Sequence, residues 1–314
     1  MVPEAPPVAA AAPVAKRQAT AVRRRRRPRP NGAALFLLSP FLLLFAGTYA
    51  APMAYSVFKS LFREKRSGLG LSAPVTEFAG VDQYVKVFSD EAVMRSLGRV
   101  LLFGIVQVPI MLGLALVLAL LLDSAAARFT KFFRLAFFLP YAVPGVVGAI
   151  LWAFLYQPGF SPLDDILHVD LLGEGTVLWS AANIVTWTWT GYNMLVIYTA
   201  LQALPRSLYE AAALDGASAW TIAWRIKVPL VRPALVLTGV FSIIGTLQLF
   251  NEPSVLRPIS GNVSSTYTPA MAAYNAAFGA NDFNYAAAIA VVLAATACVL
   301  SYVFFTASSR GADK

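Results

Sequence analysis

The chain has 314 residues, 58% of them hydrophobic and 13% charged, with a mean hydropathy of +0.64, whereas soluble domains carry about 25% charged residues. That balance leaves too little polar surface for a water-soluble globule and too much apolar surface for a disordered chain, so a polytopic membrane protein is expected. A single cysteine, Cys298, excludes an intramolecular disulfide or a cysteine metal cluster, and a single histidine, His168, excludes a multi-histidine metal site.

In chain order, residues 1–32 are rich in Ala and Pro and carry a run of five arginines at 23–27. Such a segment cannot bury apolar area and is expected to be a disordered cytoplasmic tail. Five arginines also suit nucleic acid, but the charge-free stretch directly after them favours a topology anchor on anionic membrane lipid, and no nucleic acid is expected. Six long stretches then lack Asp, Glu, Lys and Arg: 33–58, 100–122, 135–156, 177–204, 233–250 and 283–309. About 20 helical residues cross a hydrocarbon core of about 30 Å, so each stretch can cross once. The first exceeds a signal-peptide core of about 7–15 residues and reads as a retained helix. The expected fold is all-α: a bundle of six transmembrane helices over 33–309, with a second short cytoplasmic tail at 310–314.

With the N-terminus in the cytoplasm, the segments on that side hold 17 basic and 5 acidic residues, and the external ones hold 8 and 11. This obeys the positive-inside rule and accounts for the net charge of +9. The external loop 59–99 mixes apolar and charged residues and is expected to hold short amphipathic helices. The loop 157–176 carries Asp164, Asp165, Asp170 and Glu174, read as a solvated face in preference to a cation site because no ligand spacing is evident.

Inside the third stretch, Pro140, Pro144 and Gly145, with Gly148, predict a kink that frees backbone groups. In the fourth, Asn183, Thr186, Thr190 and Asn193 fall on one helical face, while Trp187, Trp189 and Tyr192 lie too deep for an interfacial belt. Neutral hydrogen-bonding groups beside aromatic rings suit a polyol such as a sugar. The same spacing equally suits hydrogen bonds between helices. At the end of the fifth stretch Gln248, Asn251 and Glu252 share a face, again open to a packing role. No ionisable residue lies within the six stretches, which disfavours a gradient-coupled carrier. No catalytic constellation is visible, so no catalytic residues, metal or cofactor are expected and the chain is not read as an enzyme.

Between the fourth and fifth stretches, residues 209–215 form a strong helix, Gly216 permits a turn that other residues resist, and Ser218 can cap a second helix. Trp220 and Trp224 follow at i, i+4, ahead of Pro229, as an apolar knob that wants either a partner or the membrane surface. This loop, with Glu210-Ala211-Ala212, Asp215-Gly216-Ala217, Ile226, Pro229 and Pro233, resembles the EAA loop of ATP-binding-cassette importer permeases. Val228 stands where Leu is usual, and Ala223 where an aromatic is frequent. Phe138-Leu139-Pro140-Tyr141, Trp189-Thr190-Gly191-Tyr192, Leu204-Pro205 and Phe250-Asn251-Glu252 are similar to the carbohydrate branch, of the maltose and glycerol-3-phosphate type. Ile259-Ser260-Gly261-Asn262 replaces that branch's usual Gly-Gly-Pro.

The resemblance implies an importer permease in a bacterial cytoplasmic membrane with both termini inside. It also implies a second homologous permease, an ATPase dimer that alone uses ATP, an external solute-binding protein and a sugar. Glu210, Ala211, Ala212, Asp215, Gly216 and Ala217, in the loop 206–232, would couple to the ATPase; Trp189, Tyr192, Asn193, Gln248 and Asn251 would hold the sugar. A gradient-driven carrier and a non-transporting scaffold stay open at this point.

Overall fold

The computed structural model describes residues 32–65, 75–124, 127–159 and 168–309, and the observations below concern those residues. The expectations for residues 1–31 with their arginine run, for Asp164 and Asp165, and for 310–314 lie outside them. The chain divides into two compact units, 1–51 and 52–314.

The first unit contains helix α1 (Gly32–Phe45) and a π-helical turn, Ala46–Ala50. Its rings stack along one side, Phe41 on Phe45 at 6.0 Å and Phe45 on Tyr49 at 5.7 Å. Its large side chains are exposed, as suits a helix whose solvent is lipid.

The second unit takes in all but the first residue of α2 (Ala51–Ser60), followed by a hairpin of β1 (Phe62–Lys65) and β2 (Val75–Phe78), in register Phe62 to Phe78 and Lys65 to Val75. This hairpin was not legible in the loop 59–99; the amphipathic helix expected there is α3 (Asp82–Ser89). Asp90 then caps the long α4 (Glu91–Leu122), its Oδ1 accepting from the amides of Ala92 and Val93 at 2.9 and 3.3 Å. The cap fixes where the helix starts and leaves Glu91, Arg95 and Arg99 on its outer turns, ahead of the expected apolar start at residue 100.

The third stretch is corrected from a kinked helix to two helices, α5 (Thr130–Ala142) and α6 (Gly145–Leu155), bent by 93°. Pro144 lacks an amide hydrogen and pushes Val143 into extended backbone (φ −75°, ψ 131°), so the helical hydrogen-bond ladder stops there. Next come α7 (Val177–Gln202), α8 (Arg206–Leu214), α9 (Ala219–Ile222) with the π turn Ala223–Lys227, α10 (Val228–Leu230) and α11 (Arg232–Leu247). The chain closes with α12 (Asn251–Leu256), α13 (Pro269–Tyr274) with the π turn Asn275–Gly279, and α14 (Phe283–Ser309).

Four helical stretches are long and apolar enough to cross a membrane: Leu35–Ser60, Glu91–Leu122, Arg232–Leu256 and Phe283–Ser308, with the bent pair α5–α6 as a fifth. The helix α7 has 26 residues, about 39 Å at 1.5 Å per residue, but its Asn, Thr and Trp content makes it less apolar than these. It is instead the most enclosed, with α4, α5, α6, α11 and α12 packed around it. A polar helix survives in a bilayer when its neighbours satisfy it. The fifth stretch, expected at 233–250, continues through α12 and so contains Glu252, which corrects the expectation that no span holds an ionisable group.

Three apolar cores organise this unit. One joins α6, α7 and α12 through Ala149, Ala153, Ile184 and Leu256, and one joins α4 to α7 through Ala115, Ala119, Met194 and Ile197. The third joins α3, α13 and α14 through Val87, Ala272 and Ile289.

Candidate functional site

The polar face expected on α7 is present, and its hydrogen bonds run mainly to other helices. Asn183 Nδ2 donates to Tyr156 Oη at 2.8 Å, and Tyr156 in turn donates to the Ser180 carbonyl at 3.1 Å. Thr186 Oγ1 accepts from Gln107 Nε2 of α4 at 3.2 Å, while Thr190 folds back onto the Thr186 carbonyl at 2.5 Å. Asn193 is 2% exposed and directs Nδ2 at Met111 Sδ of α4, 3.7 Å away. The structure therefore puts Asn193 in the α4–α7 seam and does not bring it together with Trp189 and Tyr192.

Those two residues meet Tyr141 of α5 instead. Tyr141 stacks on Tyr192 with ring centroids 4.8 Å apart and meets Trp189 edge-on at 5.2 Å. This contact depends on the close approach of α5 to α7 at Gly191, where any side chain would run into the Phe137 carbonyl. Trp189 remains 41% exposed although it lies midway along its helix. Gln248 and Asn251 are also exposed; they bracket the break between α11 and α12, and both helices pack against α7. At 1.5 Å per residue, Tyr141, Trp189 and Gln248 lie about 16, 20 and 24 Å from Thr130, Gln202 and Arg232, the helix ends that border the basic loops. An aromatic platform can stack on the C–H face of a ligand, and exposed amides can hydrogen-bond its hydroxyls.

The second cluster is the elbow after α7. Gly216 has φ +83°, the left-handed region that favours glycine. It closes α8 with a paired cap: the Ala217 amide reaches the Ala212 carbonyl at 2.9 Å, and the Gly216 amide the Ala213 carbonyl at 3.1 Å. Ser218 Oγ accepts from the Thr221 amide at 3.2 Å and so starts α9 at once. The expected helix, turn and helix are all present. Glu210, Ala211, Asp215 and Gly216 are exposed, and Ala212 and Ala217 half-buried. Leu214 is 90% exposed and Trp220 72%, with Trp220 and Trp224 in ring contact at 5.4 Å.

Three residues escaped the sequence reading. Gln107 is the one amide in an apolar run of α4; it is 2% exposed, and its Oε1 has no hydrogen-bond partner among the described residues. That isolation was a usable signal. Asp123 and Lys227, 104 residues apart, form an ion pair of 2.5 Å with side chains 8% and 13% exposed, which no sequence spacing announces. Burial first, and the Asp123 charge second, push the Tyr209 hydroxyl above its ordinary value beside them. Among the described residues no group of three or more His, Cys, Asp or Glu could hold a metal.

The sequence family described as binding-protein-dependent transport system inner membrane component matches residues 111–314. The lactose transport system permease protein LacF of Rhizobium radiobacter is 33% identical over 271 residues, which cover 82% of this chain and 88% of that one. The sn-glycerol-3-phosphate transport system permease protein UgpA of Agrobacterium fabrum is 29% identical, over 84% of this chain and 90% of the relative. Among solved structures, a chain of a bacterial ABC transporter involved in the import of the acidic polysaccharide alginate shares the fold, with a TM-score of 0.74 at 19% identity. It covers 89% of this chain and 96% of that chain.

Proposed function

The chain belongs to the binding-protein-dependent transport system inner membrane components, and on that premise we propose that it carries a sugar or related polyol across the bacterial cytoplasmic membrane, driven by ATPase subunits that grip its elbow. It is a transport permease of the ABC importer class and not an enzyme. Its expected partners are a second homologous permease, an ATPase dimer and an external solute-binding protein, with both of its own termini in the cytoplasm. The names of LacF and UgpA support the substrate class.

The observation that carries the coupling role is the elbow itself. A left-handed Gly216 between two capped helices holds α8 and α9 at a fixed angle, and the exposed Leu214 and Trp220 form an apolar knob on it. ATP-driven closure of the partner ATPases would move α8 as a rigid lever, with Glu210 in polar contact and Gly216 setting the angle. Sugar would rest on the ring platform of Trp189 and Tyr192, with Tyr141 completing it and Gln248 and Asn251 pairing with its hydroxyls. Asn193 would brace that platform from the α4 side. The bundle would then alternate between outward-open and inward-open states.

Purification of the tagged chain from its native membrane tests the assembly: a second permease and an ATPase should accompany it. Gly216→Pro should leave membrane insertion intact while abolishing uptake and substrate-stimulated ATP hydrolysis. Wild-type uptake in that variant would refute the lever.

A further inference from the structure

The elbow touches the rest of the bundle through a half-buried polar node. Asp123, at the C-terminal cap of α4, accepts from Lys227 Nζ through Oδ2 at 2.5 Å and from Gln202 Nε2 through Oδ1 at 2.6 Å. Lys227 Nζ also sits 4.7 Å from the ring centre of Tyr209, on α8. One carboxylate thus ties together the end of α4, the end of α7, the first helix of the elbow and the turn that leaves it. A charge this enclosed holds its geometry tightly, because separation would strand an unpaired ion out of water. The same α4 runs upward along α7 and carries Gln107 and Met111, which hold the polar face beneath Trp189 and Tyr192.

We infer that Asp123 is a positioning residue for transport: its pair with Lys227 is the joint that makes the elbow and α4 move as one body, so that motion imposed on α8 reaches the substrate level through α4. This rests on the lever reading above and adds the route by which the displacement travels. Without the joint, the elbow would still follow the ATPases, but α4 would lag.

The test uses the assembled complex in nanodiscs with Cys298→Ser as background, and pairs of spin labels. One pair joins Leu208 on α8 to Leu114 on α4, both exposed; a second joins Leu208 to Tyr302 on α14, also exposed. Distances are read without nucleotide and after vanadate trapping. In the wild-type background the 208–114 distance should stay single and unchanged, while 208–302 shifts. Asp123→Asn keeps the acceptor for Gln202 but removes the charge facing Lys227; it should lose the single 208–114 distance on trapping, and Asp123→Glu should restore it. Lys227→Met should behave as Asp123→Asn does. If 208–302 fails to shift in the wild-type background, the lever reading itself falls. If it shifts and Asp123→Asn keeps the unchanged 208–114 distance, only the joint is overturned. Loss of assembly in both Asp123→Asn and Lys227→Met would make the pair a structural brace and overturn it as well.

Discussion

Replacing Gly191 by Ala probes the contact on which the ring platform depends. A Cβ there would lie 2.6 Å from the Phe137 carbonyl carbon and 3.0 Å from the Phe138 Cα, besides overlapping the Phe137 oxygen. Carbon atoms pack at about 3.5–4.0 Å, so α5 would have to recede from α7 by about 1 Å. Both obstacles are backbone, so no rotamer change relieves them, and the cost should reach the upper end of overpacking penalties, about 3 kcal/mol. Gly239→Ala is the internal control. Its Cβ would meet the Phe304 ring at 2.6 Å, and a ring can turn aside, so about 1 kcal/mol is expected. With about 2–4 °C per kcal/mol, thermal denaturation of the solubilised complex should show Gly191→Ala lower by at least about 6 °C and Gly239→Ala by no more than about 4 °C. Equal shifts, or an unchanged midpoint for Gly191→Ala, would refute the backbone contact as the reason for glycine.

Trp189→Ala should raise the KM for uptake about two- to tenfold while leaving assembly intact, since it removes a stacking face worth about 0.5–1.5 kcal/mol; transport assays over a concentration series measure it. Gly216→Ala forces a side chain into the left-handed region, at about 1 kcal/mol, and should reduce uptake less than Gly216→Pro does. For Asp90, burial alone would raise the carboxyl, but hydrogen bonds from Tyr285 Oη and the Val93 and Ala92 amides, with the charge of Lys86, outweigh it and hold the group below 3.8. A lowered carboxylate contributes stability that is full above its unfolded value and lost as pH falls through its folded one. The melting gap between wild type and Asp90→Asn should therefore be open at pH 6 and narrow as the pH falls through the lowered folded-state value; a gap independent of pH would exclude the charge as its source.

Helix positions were legible wherever lipid imposes a simple rule, because a central charge is costly and a charge-free stretch has no other use. The elbow was legible for a different reason: glycine and serine at 216 and 218 carry their meaning locally, through backbone conformation and an amide cap. The hairpin Phe62–Lys65 with Val75–Phe78 was hidden because short pairings of mixed residues leave no clear period. The break at Val143 exceeded the expected kink because Pro144 stops the ladder where Pro140 alone would only bend it. On α7, periodicity showed that polar groups share a face but not what meets that face, and α4 claims Asn193 and Thr186. The Asp123–Lys227 pair is a tertiary event with no local signature.

On the proposed function, this chain is a gate without its own energy source, moved from its elbow by ATP-consuming partners. Solute flux into proteoliposomes tests it most directly, with lactose and glycerol-3-phosphate as probes alongside a panel of neutral disaccharides, in vesicles that hold the chain alone or the full complex with its binding protein. Accumulation should occur only with the full complex and ATP, and Gly216→Pro should abolish it. Accumulation by the chain alone, driven by an imposed ion gradient, would contradict the account.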